Sequence, residues 1–443
     1  MRLFIMLLLV TLPAFATGIM DLVLIDKTDT LWVMLSTLLV LLMLIPGLGL
    51  FYGGMMRAQN VLTTIALSYV CVAVATIVWV ALGYTLAATE GNWWIGGLSK
   101  VMLHDVQFGT HLNIPELLNV MYQISYAAFA IGLLYGAVHD RIRFQAMLVF
   151  MPLWLLFVYC PIFHIVWGPY GLVKGYTSGQ GSGLFGLPPI MDFAGGLVVQ
   201  VSAGISGLVA ALLVGPSTVV RPDRHDHHSI RLTLIGTAFL WIGWFGFTAG
   251  STYSPTLQAA TAMINTQIAA ATGLLTWMGS DWILTGKPRL RGMMCGILSG
   301  LVCISPAAGY VTVAGAMLIG MIGTIVCYWS CHMMRQHTII DDTLNVFGIH
   351  CVAGVTGTLL TGIYADIAIG GLPGLLDGQN WQLLSQLTGV ILVLAYAAAA
   401  SYILLRLISS MMQLRLSAEE EYLGTDWVIH GETTGDKMRR EHV

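Results

Sequence analysis

Runs of about twenty apolar residues recur along almost the whole chain, divided by short segments that hold nearly all of its charge. A helix needs roughly twenty such residues to cross the hydrocarbon of a bilayer. Windows of that kind fall near residues 31–54, 62–87, 115–138, 144–168, 191–214, 230–250, 256–279, 292–307, 308–333, 346–364 and 384–409. Of the 443 residues, 57% are hydrophobic and 9% charged, where a soluble domain carries roughly a quarter of its residues as charge. The pattern excludes a soluble globular fold and predicts an all-α integral membrane protein of eleven transmembrane helices. The net charge of −3 is small, and Lys and Arg sit in short clusters between the apolar runs, so nucleic acid is not an expected partner. Lipid, a small solute and further copies of the chain are.

Met1-Arg2, the apolar run Leu3 to Leu12, and Ala14-Phe15-Ala16 have the charged start, apolar core and small-x-small site of a signal peptide. Cleavage after Ala16 is the favoured reading. The other is that residues 3–17 begin an uncleaved first helix, although Asp21, Asp26, Lys27 and Asp29 separate that run from the next span. Eleven crossings put the two ends on opposite sides. With the mature N-terminus outside, the inner segments hold Arg57, Arg141, Arg143, Arg221, Arg224, Arg231, Lys287, Arg289, Arg291, Arg335, Arg406, Arg415, Lys437, Arg439 and Arg440, and the outer ones only Lys27, Lys100 and Lys174. Positive residues resist translocation, so the chain is expected to run N-terminus outside, C-terminus inside. The expected division is a signal peptide over 1–16, a membrane domain over 17–410 and a cytoplasmic tail over 411–443. The seven cysteines are odd in number, lack framework spacing and lie in or beside apolar spans, which predicts buried thiols rather than disulfides.

Two spans match each other. Asp192 is followed by Gln200-Val-Ser-Ala-Gly-Ile-Ser-Gly207, and Asp342 by His350-Cys-Val-Ala-Gly-Val-Thr-Gly357, at the same offsets. With the orientation above, the two spans cross in opposite directions, which predicts a five-plus-five inverted repeat with the permeation path between the halves. Eight residues at about 1.5 Å each carry Gln200 and His350 roughly 12 Å inward from opposite faces of a core about 30 Å thick. The two polar groups are therefore expected to meet near the midplane, where a lone one would be costly.

Further segments read Ile45-Pro-Gly-Leu-Gly-Leu-Phe-Tyr-Gly-Gly54, Asp140-Arg-Ile-Arg-Phe144, Asp192-Phe-Ala-Gly-Gly196, Gly243-Trp-Phe-Gly-Phe-Thr-Ala-Gly-Ser251, and Asp341-Asp342 through Val346-Phe347 to His350. In this order they resemble the ammonium transporter family, which includes the fungal methylammonium permeases and the Rhesus proteins; the tail resembles the bacterial type. The resemblance implies a homotrimer of eleven-helix subunits in a bacterial inner membrane, each subunit passing ammonium or ammonia through its own narrow pore, with no cofactor and no catalytic residue. It implies an outer recruitment site at Trp167, Ser251 and Tyr126, a gate of stacked rings at Tyr126 and Phe247, and a pore pair at Gln200 and His350. Asp192 is read either as shaping the vestibule with its charge or as capping its helix.

The chain departs from the family pattern at several of these positions. Gln200 stands where the first pore histidine is usual, Tyr126 where Phe is usual, Thr248 where Asn is usual, and Asn345 where Asp is usual. A glutamine amide can orient His350 but cannot accept and pass on a proton, so a weaker tie between ammonia passage and proton passage is expected. In the tail, Gly424, Asp426, His430, Gly431 and Glu432 resemble the region where a PII-type signalling protein docks, whereas composition alone describes an acidic solvated tail. The alternative function is an ammonium sensor that conducts little and signals through that tail. His225-Asp226-His227-His228 is read as a solvated loop rather than a metal site, and His164 as a packed histidine. Phosphate loops and hydrolase or metalloprotease motifs are absent from the sequence, which leaves ATP-driven and enzymatic readings without support.

Overall fold

The computed structural model describes residues 25–106, 109–174, 183–219, 228–337 and 340–433. The expected signal peptide and residues 225–227 of the histidine cluster lie outside them. Among the described residues, eleven helices of 15 residues or more follow one another: α1 Lys27–Met55, α2 Ala58–Ala88, α3 Glu116–Tyr135, α4 Phe144–Trp167, α5 Gly196–Val214, α6 Ile230–Thr252, α7 Leu257–Thr285, α8 Leu290–Ile304, α9 Val313–His337, α10 Phe347–Tyr364 and α11 Gln382–Met411. Among the described residues nine are long and apolar enough to cross a membrane, α8 being short and α7 less apolar. The outward faces carry exposed Leu38, Ile77, Phe157, Ile391 and Leu407, a surface that water would not tolerate at this density and lipid does. All seven cysteines are free and buried.

The polar residues of α7 and α11 explain why those helices are not uniformly apolar. Asn265 on α7 donates to the carbonyls of Ala308 (2.9 Å) and Val311 (2.8 Å), where the chain turns between α8 and α9 and has no helical partners to offer. Gln386 on α11 holds Met191 from both sides, its Oε1 accepting from the Met191 N–H and its Nε2 donating to the Met191 carbonyl, each at 2.8 Å. These side chains pin the irregular stretches that lead into α5 and α9. The apolar window of α8 extends to residue 307; the helix itself stops at Ile304 because the carbonyls of Ser305 and Pro306 accept from Ala194 and Phe193.

The two matched segments fold alike. Each begins with a left-handed residue, Gly195 at φ +87° and Asn345 at φ +58°, and each enters its helix through a π-helical turn, Gly196–Val201 and Phe347–Cys351. The left-handed turn brings the preceding aspartate back over the helix start. Asp192 accepts from the N–H groups of Gly196, Leu197 and Val198 (2.5, 2.9 and 3.1 Å), and Asp342 from Val346 and Phe347 (2.9 and 2.8 Å). These are helix-start donors that lack partners of their own. Asn345 thus serves a backbone purpose, since Asn tolerates the left-handed region better than most residues.

Helices α5 and α10 cross at contact distance. A Cβ on Gly204 would lie 2.5 Å from the Cys351 nitrogen, and one on Gly354 2.7 Å from the Gly196 carbonyl oxygen and 3.2 Å from the Gln200 Cβ. Each glycine therefore faces the polar turn of the other helix. At one end of this pair sits Arg141, fully buried, bonded to Asp140 (2.8 Å), Thr343 Oγ1 (2.5 Å), the Gly215 carbonyl (2.8 Å) and the Asp341 carbonyl. One guanidinium thereby ties the end of α5 to the entry of α10, and its five donors suit that role.

After α11 the chain returns across the same end. Leu416 donates to the Arg141 carbonyl and Arg143 to that of Leu414. A short helix, Ala418–Leu423, opens with a Ser417–Glu420 capping box. The Ser417 N–H and the Arg143 guanidinium hold the Glu420 carboxyl below its usual range. A second short helix, Thr425–His430, places the Asp426 carboxylate on the N–H groups of Leu62 (3.0 Å) and Thr63 (2.7 Å), at the start of α2. Replacing Asp426 by Ala is expected to cost about 0.5–2 kcal/mol, as loss of a helix cap does, and to release the tail. Limited proteolysis checks this: cleavage after residue 411 at the wild-type rate would show that the tail does not depend on Asp426.

Candidate functional site

The candidate site is assembled where α3, α4 and α6 meet near one end of α5. Tyr126 on α3 and Phe247 on α6 are stacked, their ring centroids 4.3 Å apart and their planes 17° from parallel. The Trp167 ring at the end of α4 stands edge-on to Tyr126 at 6.1 Å, and its Nε1 donates to the Asp192 carbonyl at 2.7 Å. Ser251, in the turn that ends α6, has its Oγ 2.9 Å from the Tyr126 hydroxyl. Trp167 and Ser251 are partly exposed, whereas Tyr126 and Phe247 are buried. The partly exposed Trp167 indole and Ser251 hydroxyl, beside the buried Tyr126 ring, are groups that can offer a π face and an acceptor to a small cation.

The Asp192 carboxylate is buried and committed to three backbone N–H groups. This is the geometry of the capping reading, the carboxylate lying on the start of α5. At the rim, the exposed Lys174 ammonium donates to the Trp167 carbonyl at 2.7 Å. Among the described residues no group of three His, Cys, Asp or Glu could hold a metal ion. His164 spans the carbonyls of Ala87 and Asn92 (3.1 and 2.8 Å) in the core, a structural position.

Gln200 and His350 do meet, at the crossing of α5 and α10. Gln200 Oε1 lies 2.8 Å from His350 Nδ1, with both residues buried. The Gln200 Nε2 is buried without a partner among the described residues, and an amide donor left that way costs on the order of 1–3 kcal/mol. Thr248 bonds to the Thr266 hydroxyl (2.7 Å) and the Trp244 carbonyl (2.9 Å), holding α6 against α7.

A family model described as Ammonium Transporter Family matches residues 31–435. The chain belongs to the ammonium transporter family. It is 39% identical over 412 residues to an ammonium transporter of Aquifex aeolicus, covering 92% of this chain and 93% of that one, and 38% identical over 411 residues to one of Bacillus subtilis, covering 91% and 97%. Among solved structures, Mep2 of Candida albicans superposes with a TM-score of 0.81 at 31% identity, covering 90% of this chain and 88% of that one.

Within this family member, reading the sequence missed a polar ladder on α3. Glu116 is bonded to Lys100 and, at 2.6 Å, to the Tyr84 hydroxyl. Asn119 accepts from the Tyr253 hydroxyl at 2.9 Å, and Gln123 donates to that hydroxyl at 2.6 Å. Tyr122 adds a hydroxyl 3.0 Å from that of Tyr126. The signal was present: Glu116, Asn119 and Gln123 share one face at helical spacing, and Tyr122 precedes Tyr126 by four residues. Scanning for apolar runs passes over such a face.

Proposed function

We propose that the chain transports ammonium across a bacterial inner membrane, taking up the ion at Trp167, Ser251 and Tyr126 and passing it past Phe247, Gln200 and His350 as neutral ammonia. The observation that carries this reading is the Gln200–His350 pair with its unpartnered amide. In the assigned orientation His350 Nδ1 donates to Gln200 Oε1, so His350 Nε2 bears a lone pair while Gln200 Nε2 bears free N–H groups. Ammonia can donate to the His350 lone pair and accept from the Gln200 N–H; a bare ammonium ion can only donate, and stripping its water in an apolar path is costly. Deprotonation near the gate is therefore part of the proposal, the proton returning outside or taking another route.

The same reading includes eleven crossings with the N-terminus outside, an inverted five-plus-five repeat, a cleaved signal peptide, the homotrimer and a PII-type partner at the tail. Supporting the orientation and the repeat are the excess of positive residues in the segments read as inner and the two matched aspartate-capped turns; the signal peptide rests on the sequence pattern, and the trimer and the PII-type partner on the family resemblance. The test is an ammonium jump on liposomes holding the purified protein, with current and lumenal pH recorded together. Flux without current is expected. Current that accompanies flux would overturn neutral passage, and bound ammonium without flux would favour the sensor.

A further inference from the structure

The hydroxyl of Tyr126, present where the family resemblance expects a phenylalanine, is fully engaged. It donates to the carbonyl of Phe247, the residue whose ring it stacks on. The hydroxyls of Tyr122 and Ser251 lie 3.0 and 2.9 Å from it. Tyr122 also reaches the Gly246 carbonyl at 2.9 Å, and Ser251 the Phe247 carbonyl at 3.1 Å. Three hydroxyls and two carbonyls thus close on one another at the end of α6, where the helix tightens into a 3₁₀ turn over Gly250–Thr252. Both tyrosines are only 1% exposed.

Swinging the Tyr126 ring away from Phe247 removes a hydroxyl donor from the Phe247 carbonyl and a partner from both Tyr122 and Ser251. The Phe247 carbonyl keeps Ser251 and Tyr122 keeps the Gly246 carbonyl, so the group left without partners is the buried Tyr126 hydroxyl, which loses three bonds at once. That loss is unfavourable, and the bonded ring resists opening unless the arriving species supplies donors itself. An ammonium ion has four N–H donors. Seated on Ser251, it can donate at once to the Ser251 Oγ, to the Phe247 carbonyl in the place of the tyrosine hydroxyl, and to the displaced Tyr126 oxygen. Each alkyl group removes one donor, and dimethylammonium, with two left, can serve only two of the three.

We propose that the Tyr126 hydroxyl, positioned by Tyr122, latches the outer gate and is released by N–H donation from the substrate, so that passage depends on how many N–H groups the ammonium species carries. This rests on the transport reading above. The test compares ammonium, methylammonium and dimethylammonium uptake into liposomes for wild type, Tyr126→Phe and Tyr122→Phe. Removing only the Tyr126 hydroxyl is expected to raise the maximal rate and to lower the preference for ammonium over dimethylammonium about tenfold, the size of one hydrogen bond to a charged group. Tyr122→Phe is expected to shift the preference in the same direction by less; a merely structural tyrosine would change thermal stability and leave the preference alone, and this variant carries the test if Tyr126→Phe does not fold. Equal preferences in all three proteins, with flux, would overturn the latch and leave transport standing. Flux in Tyr126→Phe but none in wild type would support the latch and overturn transport by the native chain. No flux in any of them would overturn both.

Discussion

Gly204→Ala is expected to destabilise the protein by about 3 kcal/mol or more, at or beyond the upper end of the usual range for overpacking. The atoms a new methyl would meet are the Cys351 nitrogen at 2.5 Å and its Cβ at 2.6 Å, and backbone inside a π-helical turn cannot move aside as a flexible side chain can. The helices must separate instead, which lengthens the Gln200–His350 bond that the crossing sets. Thermal unfolding of the detergent-solubilised protein reads the first effect and ammonium flux the second. Gly279→Ala is the control: it lies within α7 with nothing within 4 Å of a new Cβ, and in a helix interior alanine is favoured over glycine by up to about 1 kcal/mol. If the two variants unfold at the same temperature, the close crossing is not what holds α5 to α10.

Gln200→His is expected to give an ammonium-dependent current where the proposed wild-type passage carries none, because a positioned acid–base group speeds proton transfer by about a hundredfold or more. The wild-type pair holds one titratable ring. Gln200 Oε1 accepts from His350 Nδ1 at 2.8 Å, and an amide in that place neither takes up nor releases a proton. A second imidazole at the same bonding distance would give a proton two adjacent sites. The measurement is current in parallel with lumenal pH on the same liposomes. If the current is unchanged while flux persists, proton passage does not run through this pair, and the proposed role of the Gln200 amide fails.

Much of the fold is legible in the chain itself. Apolar run length locates the helices, because an element surrounded by lipid must satisfy its own backbone. The equal spacing of Asp192–Gln200 and Asp342–His350 is enough to bring two polar side chains together at one depth, since helix rise converts residue count into distance. Trp167, Ser251, Tyr126 and Phe247 come from family likeness rather than from any periodicity, and the structure gathers all four from three helices.

What the sequence by itself determined was therefore whatever depends on local composition and on distance along one helix: membrane residence, the approximate positions of the long helices and the expectation that Gln200 and His350 meet, as they do. Only the tertiary structure decided how partners far apart in the chain use one another. It assigned Asp192 to a helix cap, put Asn345 in the left-handed turn that matches Gly195, joined the Tyr126 hydroxyl to the carbonyl of the ring it stacks on, and seated Asp426 on the start of α2. The physical reason is the same in each case. A hydrogen bond or a close backbone contact is specific in three dimensions, whereas a single sequence records only that a residue is capable of one.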